Sequence, residues 1–130
     1  MGYTTKFKGR LDFDCPITME LLADVAQYFG ADGSELVGPD AKFTYIDLEL
    51  TDDLKGIQWD SGTEKNYGMV EAVNFIIDDM HEKGVKDFAL KGELLAQGED
   101  IEDRWKLVMR TNRAYRVDLK VTGKRGIKSA

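Results

Sequence analysis

From Tyr3 to Asp14 the chain alternates between two kinds of side chain. Tyr3, Phe7, Leu11 and Phe13 fall on one side, with Thr5 and Gly9 between them, while Thr4, Lys6, Lys8, Arg10, Asp12 and Asp14 fall on the other. Period two with one apolar face predicts a half-buried strand. Pro16 ends it, and Thr18 is placed to cap a short helix in which Leu21, Leu22, Val25, Tyr28 and Phe29 recur at helical spacing. Glu20 suits the positive first turn of that helix, and Gly30 closes it. Residues 31–41 carry Gly33, Gly38 and Pro39 and read as a loop.

A second strand spans Phe43 to Leu50, with Ile46, Leu48 and Leu50 inward and Phe43, Tyr45, Asp47 and Glu49 outward. Ile57-Gln58-Trp59 forms a short third strand beyond the turn at Asp52-Asp53. Ser61-Gly62-Thr63-Glu64 has the form of a capping box, and Met69, Val70, Val73, Ile76, Ile77 and Met80 follow as an apolar helical stripe that Gly84 ends. Glu71, Asn74, Asp78 and Glu82 occupy its outward side.

Three strands complete the pattern. Phe88, Leu90, Leu94 and Ala96 are inward in the first, Trp105, Leu107 and Met109 in the second, and Tyr115, Val117, Leu119 and Val121 in the third. Asn112-Arg113 suits a tight hairpin turn, because asparagine tolerates positive φ. The order is β-α-β-β-α-β-β-β: an α+β domain of two layers, a mainly antiparallel sheet with two helices on one face. Residues 1–122 form this one domain, and 123–130 read as a basic, frayed tail.

Composition narrows the chemistry. The chain has 130 residues, one domain's length, and a net charge of −6, which disfavours wholesale nucleic-acid binding. Cys15 is the single cysteine, so no internal disulfide forms, and a reducing, cytoplasmic setting is expected. No apolar run reaches the ~20 residues a membrane-spanning helix needs. His81 is the only histidine, so a Cys15–His81 pair is the sole thiol–imidazole combination open to it. Four zinc ligands of nitrogen or sulfur cannot be assembled, and neither Asp52-Asp53 nor the stretch Glu99 to Asp103 has the ligand alternation of a calcium loop. No cofactor or metal is expected.

The expected outward face of the sheet departs from the acidic average. Lys6, Lys8, Arg10, Lys91, Arg104, Lys106, Arg110, Arg116 and Lys120 outnumber Asp12, Asp47, Glu49, Glu93 and Asp118 there. Lys6, Lys8, Arg10, Lys91, Lys106, Arg110, Arg116 and Lys120, with the rings of Phe43 and Tyr45, therefore make a candidate binding surface for a nucleotide or single-stranded nucleic acid. Alternating strands also place polar residues outside for solubility alone, and lysine blunts sheet edges. Acidic residues, among them Asp32, Glu35, Asp40, Asp52, Asp53, Asp78, Asp79 and Glu82, gather on loops and the outer helix face, a surface suited to a basic protein partner.

Met1-Gly2-Tyr3-Thr4-Thr5-Lys6-Phe7-Lys8-Gly9, with Gly92-Glu93, Gly98-Glu99-Asp100 and Asp103-Arg104-Trp105, resembles a family of small uncharacterised phage and bacterial proteins. That family shares a Met-Gly-Tyr start and a Gly-Glu, acidic, Trp pattern near its C-terminal hairpin. The likeness touches both ends of the chain and leaves residues 20–60 unmatched. It transfers no active site, and implies a phage-encoded accessory protein working in the host cytoplasm. Three functional readings stay open: a non-catalytic protein that binds a host or defence macromolecule through charged surfaces, a nucleotide or single-strand binder on the basic sheet face, and a small metal-assisted hydrolase.

Overall fold

The computed structural model describes residues 5–29, 46–60, 68–98, 103–122 and 126–128, from residue 120 onward as backbone alone. Strand β1 (Lys6–Phe13) follows the alternation: Phe7, Leu11 and Phe13 are buried, and Lys6 and Lys8 are exposed. Helix α1 (Met19–Ala26) starts where Thr18 Oγ1 accepts the Leu21 backbone N–H at 3.0 Å. Strands β2 (Leu48–Leu50) and β3 (Gly56–Trp59) form a short hairpin. Phe43 and Tyr45 lie outside the described residues, as do Gly30 and the proposed capping box at 61–64.

Helix α2 (Met69–Glu82) begins at Gly68, which sits at φ 69° and supplies no side-chain cap. The expected apolar stripe is buried except for half-buried Val70, and is joined by Ala72; the chain leaves the helix at Gly84 with φ +106°. Strands β4 (Leu90–Gln97), β5 (Arg104–Arg110) and β6 (Arg113–Thr122) form the meander. Gly126–Lys128, expected to fray, forms strand β7 and pairs with Lys120–Thr122 of β6.

Among the described residues the sheet order is β2-β3-β1-β4-β5-β6-β7, with every neighbouring pair antiparallel. Leu21 and Val25 of α1, Tyr28 just beyond it, and the α2 stripe share one core with Phe7, Leu11, Phe13, Ile57, Leu90, Leu94, Ala96, Trp105 and Leu107. Those strand residues all belong to one register, so both helices cover the same side of the sheet. Phe7 packs edge-on to Trp105 with centroids 5.6 Å apart.

The helices are tied to each other and to the sheet by polar side chains. The Tyr28 hydroxyl donates to Asp79, and the Lys83 ammonium donates to the same hydroxyl at 3.2 Å. Burial and the Asp79 hydrogen bond push the Tyr28 pKa up to about 12, so the phenol stays neutral. Asn74, expected outward, turns its amide to the sheet edge, donating to Ala114 O at 3.1 Å and accepting from Ala114 N at 2.8 Å. It takes the place of a further strand at that position.

Two further expectations are corrected. Asp47, placed outward by alternation, is only 4% exposed, between buried Ile46 and Leu48, and its backbone oxygen accepts the Asp60 N–H at 2.9 Å. More consequential is β6. Its turn lies at Thr111-Asn112, with φ 51° and 56°, rather than at Asn112-Arg113. A two-residue loop pairs residues three apart, and therefore an odd number with an even one. Odd-numbered Trp105, Leu107 and Met109 oppose Asp118, Arg116 and Ala114, so Tyr115, Val117 and Leu119 face away from the helices.

Gly9 and Gly92 let β1 and β4 approach closely. A Cβ on Gly92, at φ +116°, would lie 2.8 Å from the Arg10 carbonyl oxygen. Gly84 has positive φ too, but a Cβ there meets nothing within 4 Å. Gly92→Ala is expected to destabilise the fold by about 3 kcal/mol, through strain and backbone contact together. Gly84→Ala should cost about 1 kcal/mol from conformation alone. Urea denaturation of the two variants checks the ranking, and equal midpoints would refute it.

Candidate functional site

The face turned away from the helices can be built residue by residue from the strand register. One row across β1, β4, β5 and β6 reads Arg10, Glu93, Val108, Tyr115. The next reads Lys8, Leu95, Lys106, Val117, and the next Lys6, Gln97, Arg104, Leu119. Read down the strands, β1 presents three cations and β6 presents three apolar side chains. The two strands thus present columns of unlike chemistry, with Glu93, Leu95 and Gln97 of β4 and Val108, Lys106 and Arg104 of β5 between them. Tyr115 is 50% exposed, and Leu95, Val108, Val117 and Leu119 are half-buried.

Of the candidate binding residues, the structure brings Lys6, Lys8, Arg10, Lys91, Lys106 and Arg110 to this open face. Arg116 is not among them. It opposes Leu107 on the helix side, where its guanidinium stacks 4.5 Å from the Trp105 ring centroid and its Nε donates to Asp118 at 2.8 Å. Lys120 pairs through its backbone with Lys128, and its side chain lies outside the description, as Phe43 and Tyr45 do entirely. Alternation read strand by strand missed Tyr115, Val117 and Leu119. The signal that would have found them was the two-residue loop, whose parity contradicts an inward set of odd-numbered residues in β6.

Charges on the face are partly satisfied within the protein. Lys106 lies 3.0 Å from Glu93, and Lys91 lies 3.8 Å from Asp14. Arg10 is more heavily engaged: its Nε donates to Asp12 at 2.6 Å and its two terminal nitrogens donate to Asp53, each at 3.0 Å. Asp53 also accepts from Thr51 Oγ1 at 2.6 Å and from the Lys55 backbone N–H at 3.0 Å. These donors, Arg10 foremost, hold the Asp53 carboxyl well below the usual carboxylate range. Lys6, Lys8 and Arg110 make no ion pair with any described residue.

Beside Arg10 lies a shallow cleft of about 450 Å³, lined by Arg10, Asp12, Phe13, Ile17, Asp53, Lys55 and Lys91. Its two carboxylates are both bound to Arg10, which leaves them poorly placed to share a cation. Among the described residues no three His, Cys, Asp or Glu side chains gather as metal ligands. Nor do Cys15 and His81 address each other. The Cys15 thiol donates to Ala89 O at 3.8 Å, and burial pushes its pKa up, away from the thiolate. His81 Nε2 lies 2.8 Å from Phe88 O; a carbonyl only accepts, so that nitrogen carries the proton.

The acids expected to face a partner are in several cases internal ties. Asp78 receives Arg113 at 2.6 and 3.1 Å, Asp79 receives Tyr28 and Lys83, and Asp53 receives Arg10. Gly9, Gly92 and Trp105, which carry part of the resemblance to the phage and bacterial family, serve strand approach and core packing. Among the described residues no helix is long and apolar enough to cross a membrane. Comparison with family models, with curated proteins and with solved structures finds no match to this chain.

The Asp53 cluster makes a pH prediction. Its carboxyl titrates lower in the folded chain than at the value near 4 expected when unfolded. The stabilisation is therefore present above about pH 4 and is lost as pH falls below it. Asp53→Asn should flatten the acid limb of stability between about pH 4 and pH 2, and 1 M salt should narrow its difference from the parent. Urea midpoints across that range test this; parallel acid limbs for both proteins would count against it.

Proposed function

We propose that this chain is a non-catalytic binding protein that engages a macromolecular partner through the open face of its sheet. One observation carries the reading: β6 turns Tyr115, Val117 and Leu119 to the side that neither helix covers, beside Val108 and Leu95 and opposite a column of cations. A strand needed only for folding would bury its apolar register, and solvated outer faces are ordinarily polar. Apolar side chains grouped on a face and rimmed by charge are characteristic of interaction surfaces.

The reactive side chains support binding over catalysis by what they are already doing. Asp12 and Asp53 neutralise Arg10, the Cys15 thiol is disfavoured as a nucleophile, and His81 holds a backbone carbonyl. The single-strand platform is weaker than the pattern of charges suggested. Arg116 belongs to the other face, Lys106 and Arg10 have carboxylate partners, and Tyr115 is the one ring among the described open-face residues. A protein partner fits the aliphatic column better. The likeness at the two chain ends adds the proposal of phage origin, with a host or defence component as the partner.

Tyr115→Glu tests the face, because Tyr115 is half exposed and its replacement should leave folding intact. Affinity capture from host lysate with the parent should retain a defined species that Tyr115→Glu loses, at least tenfold by quantitative mass spectrometry, on the order expected when a central interface aromatic is removed. Glu82→Lys, on the outer surface of α2, should retain it. Equal capture by all three proteins would sink the assignment.

A further inference from the structure

We infer that the open face receives an amphipathic helix of a partner protein, running along the strands with its apolar stripe over β6 and an acidic flank over β1. The inference rests on the binding-surface reading above and adds what the partner must look like. The basic column is Lys6, Lys8 and Arg10; the apolar column is Tyr115, Val117 and Leu119. Three strand spacings separate them, about 14 Å, and three rows span about 13 Å along the strands. A helix with its side chains is about 10–12 Å across and covers 13 Å with about nine residues.

An extended segment laid on the face would point alternate side chains toward the sheet and the rest away, and so meet one column only. A helix presents an apolar stripe and a charged flank side by side along its whole length, which is what two parallel columns of unlike chemistry require. The flank must be acidic, since Lys6 and Lys8 have no carboxylate partner among the described residues whereas Arg10 is already neutralised. Leu95 and Val108 give the stripe its central contacts.

A second copy of this chain does not meet the same demand. A two-fold axis relating two open faces sets the basic column over either its own copy or the apolar column. Neither arrangement brings an uncommitted carboxylate to Lys6 or Lys8, because Asp12 and Glu93 on that face are already paired with Arg10 and Lys106. Nucleic acid would satisfy the cations but leave its phosphates beside an aliphatic column.

Titration of the full ¹⁵N-labelled chain, read by amide chemical shifts, tests the inference. The probe is a synthetic helical peptide of about 14 residues with leucines at helical spacing and glutamates along one flank. Saturable shifts are expected at Lys8, Leu95, Lys106, Val117 and Leu119, with binding about fivefold weaker when lysines replace the glutamates. The double variant Lys6→Glu, Lys8→Glu should reverse that preference, a rescue that misfolding cannot imitate. No shifts, or equal response to both flanks, overturns the inference. Shifts of the same amides with a thymidine oligonucleotide but not with the acidic peptide overturn it in favour of nucleic acid. Failure of the peptides while Tyr115→Glu still abolishes capture would remove the helix and leave the open-face reading standing.

Discussion

Antiparallel register, carried without interruption from β1 to β6, is the constraint on which this molecule depends. Each pairing fixes which side chains share a face, so a choice at one hairpin propagates to every residue of the next strand. The decisive hairpin joins β5 to β6. Asn112 occupies its second central position in a left-handed conformation and sends its amide back to β4, donating to Phe88 O at 2.9 Å and accepting from Leu90 N at 3.1 Å. Those two bonds anchor the turn at Thr111-Asn112, and with it the direction of every β6 side chain. The cost is a β-branched residue, Thr111, at φ 51°.

The same constraint explains how the two faces differ in character. Under the helices, interlocking aromatic and aliphatic groups exclude water from β1, β4 and β5. On β6 that face turns polar, and Arg116 lies over the Trp105 ring. On the open side β1 carries cations and β6 aliphatics, with Lys106 and Arg104 of β5 beside the aliphatic column. A protein of net charge −6 thus keeps a locally basic strand in the middle of its sheet. Its potential is limited by the carboxylates that Arg10 and Lys106 have recruited.

Much of the surface charge is employed in holding the fold. Arg10–Asp53 fastens the β2–β3 turn to β1, Arg113–Asp78 fastens α2 to β6, and Tyr28–Asp79–Lys83 fastens the segment after α1 to α2. Exposed pairs of this kind each contribute modestly and are screened by salt. Their importance here is for assignment. A charge with a partner in its own chain is a poorer guide to function than one without, which is why Lys6 and Lys8 weigh more than Arg10 in locating a partner.

Alternation and helical spacing were sufficient to identify β1, α1, α2, β4 and β5 and their buried sides, because each element buries one whole register against the same core. Thr18 was legible as a cap for a similarly local reason, since its hydroxyl acts three residues away. The placement of β1 between β3 and β4 was not legible, because strand order depends on pairings between residues far apart in the chain. Nor was the face shown by β6: Tyr115, Val117 and Leu119 alternate as a buried strand would, and only the hairpin that joins them to β5 turns them outward. Asn74 and Asn112 read as surface and turn residues, yet both complete backbone hydrogen bonding at positions distant in sequence. Local sequence thus determined which elements form and which side of most of them is apolar, since those properties repeat with the period of the backbone. Tertiary structure decided which apolar side of β6 meets water, because that is set by register between strands, a relation no single strand contains.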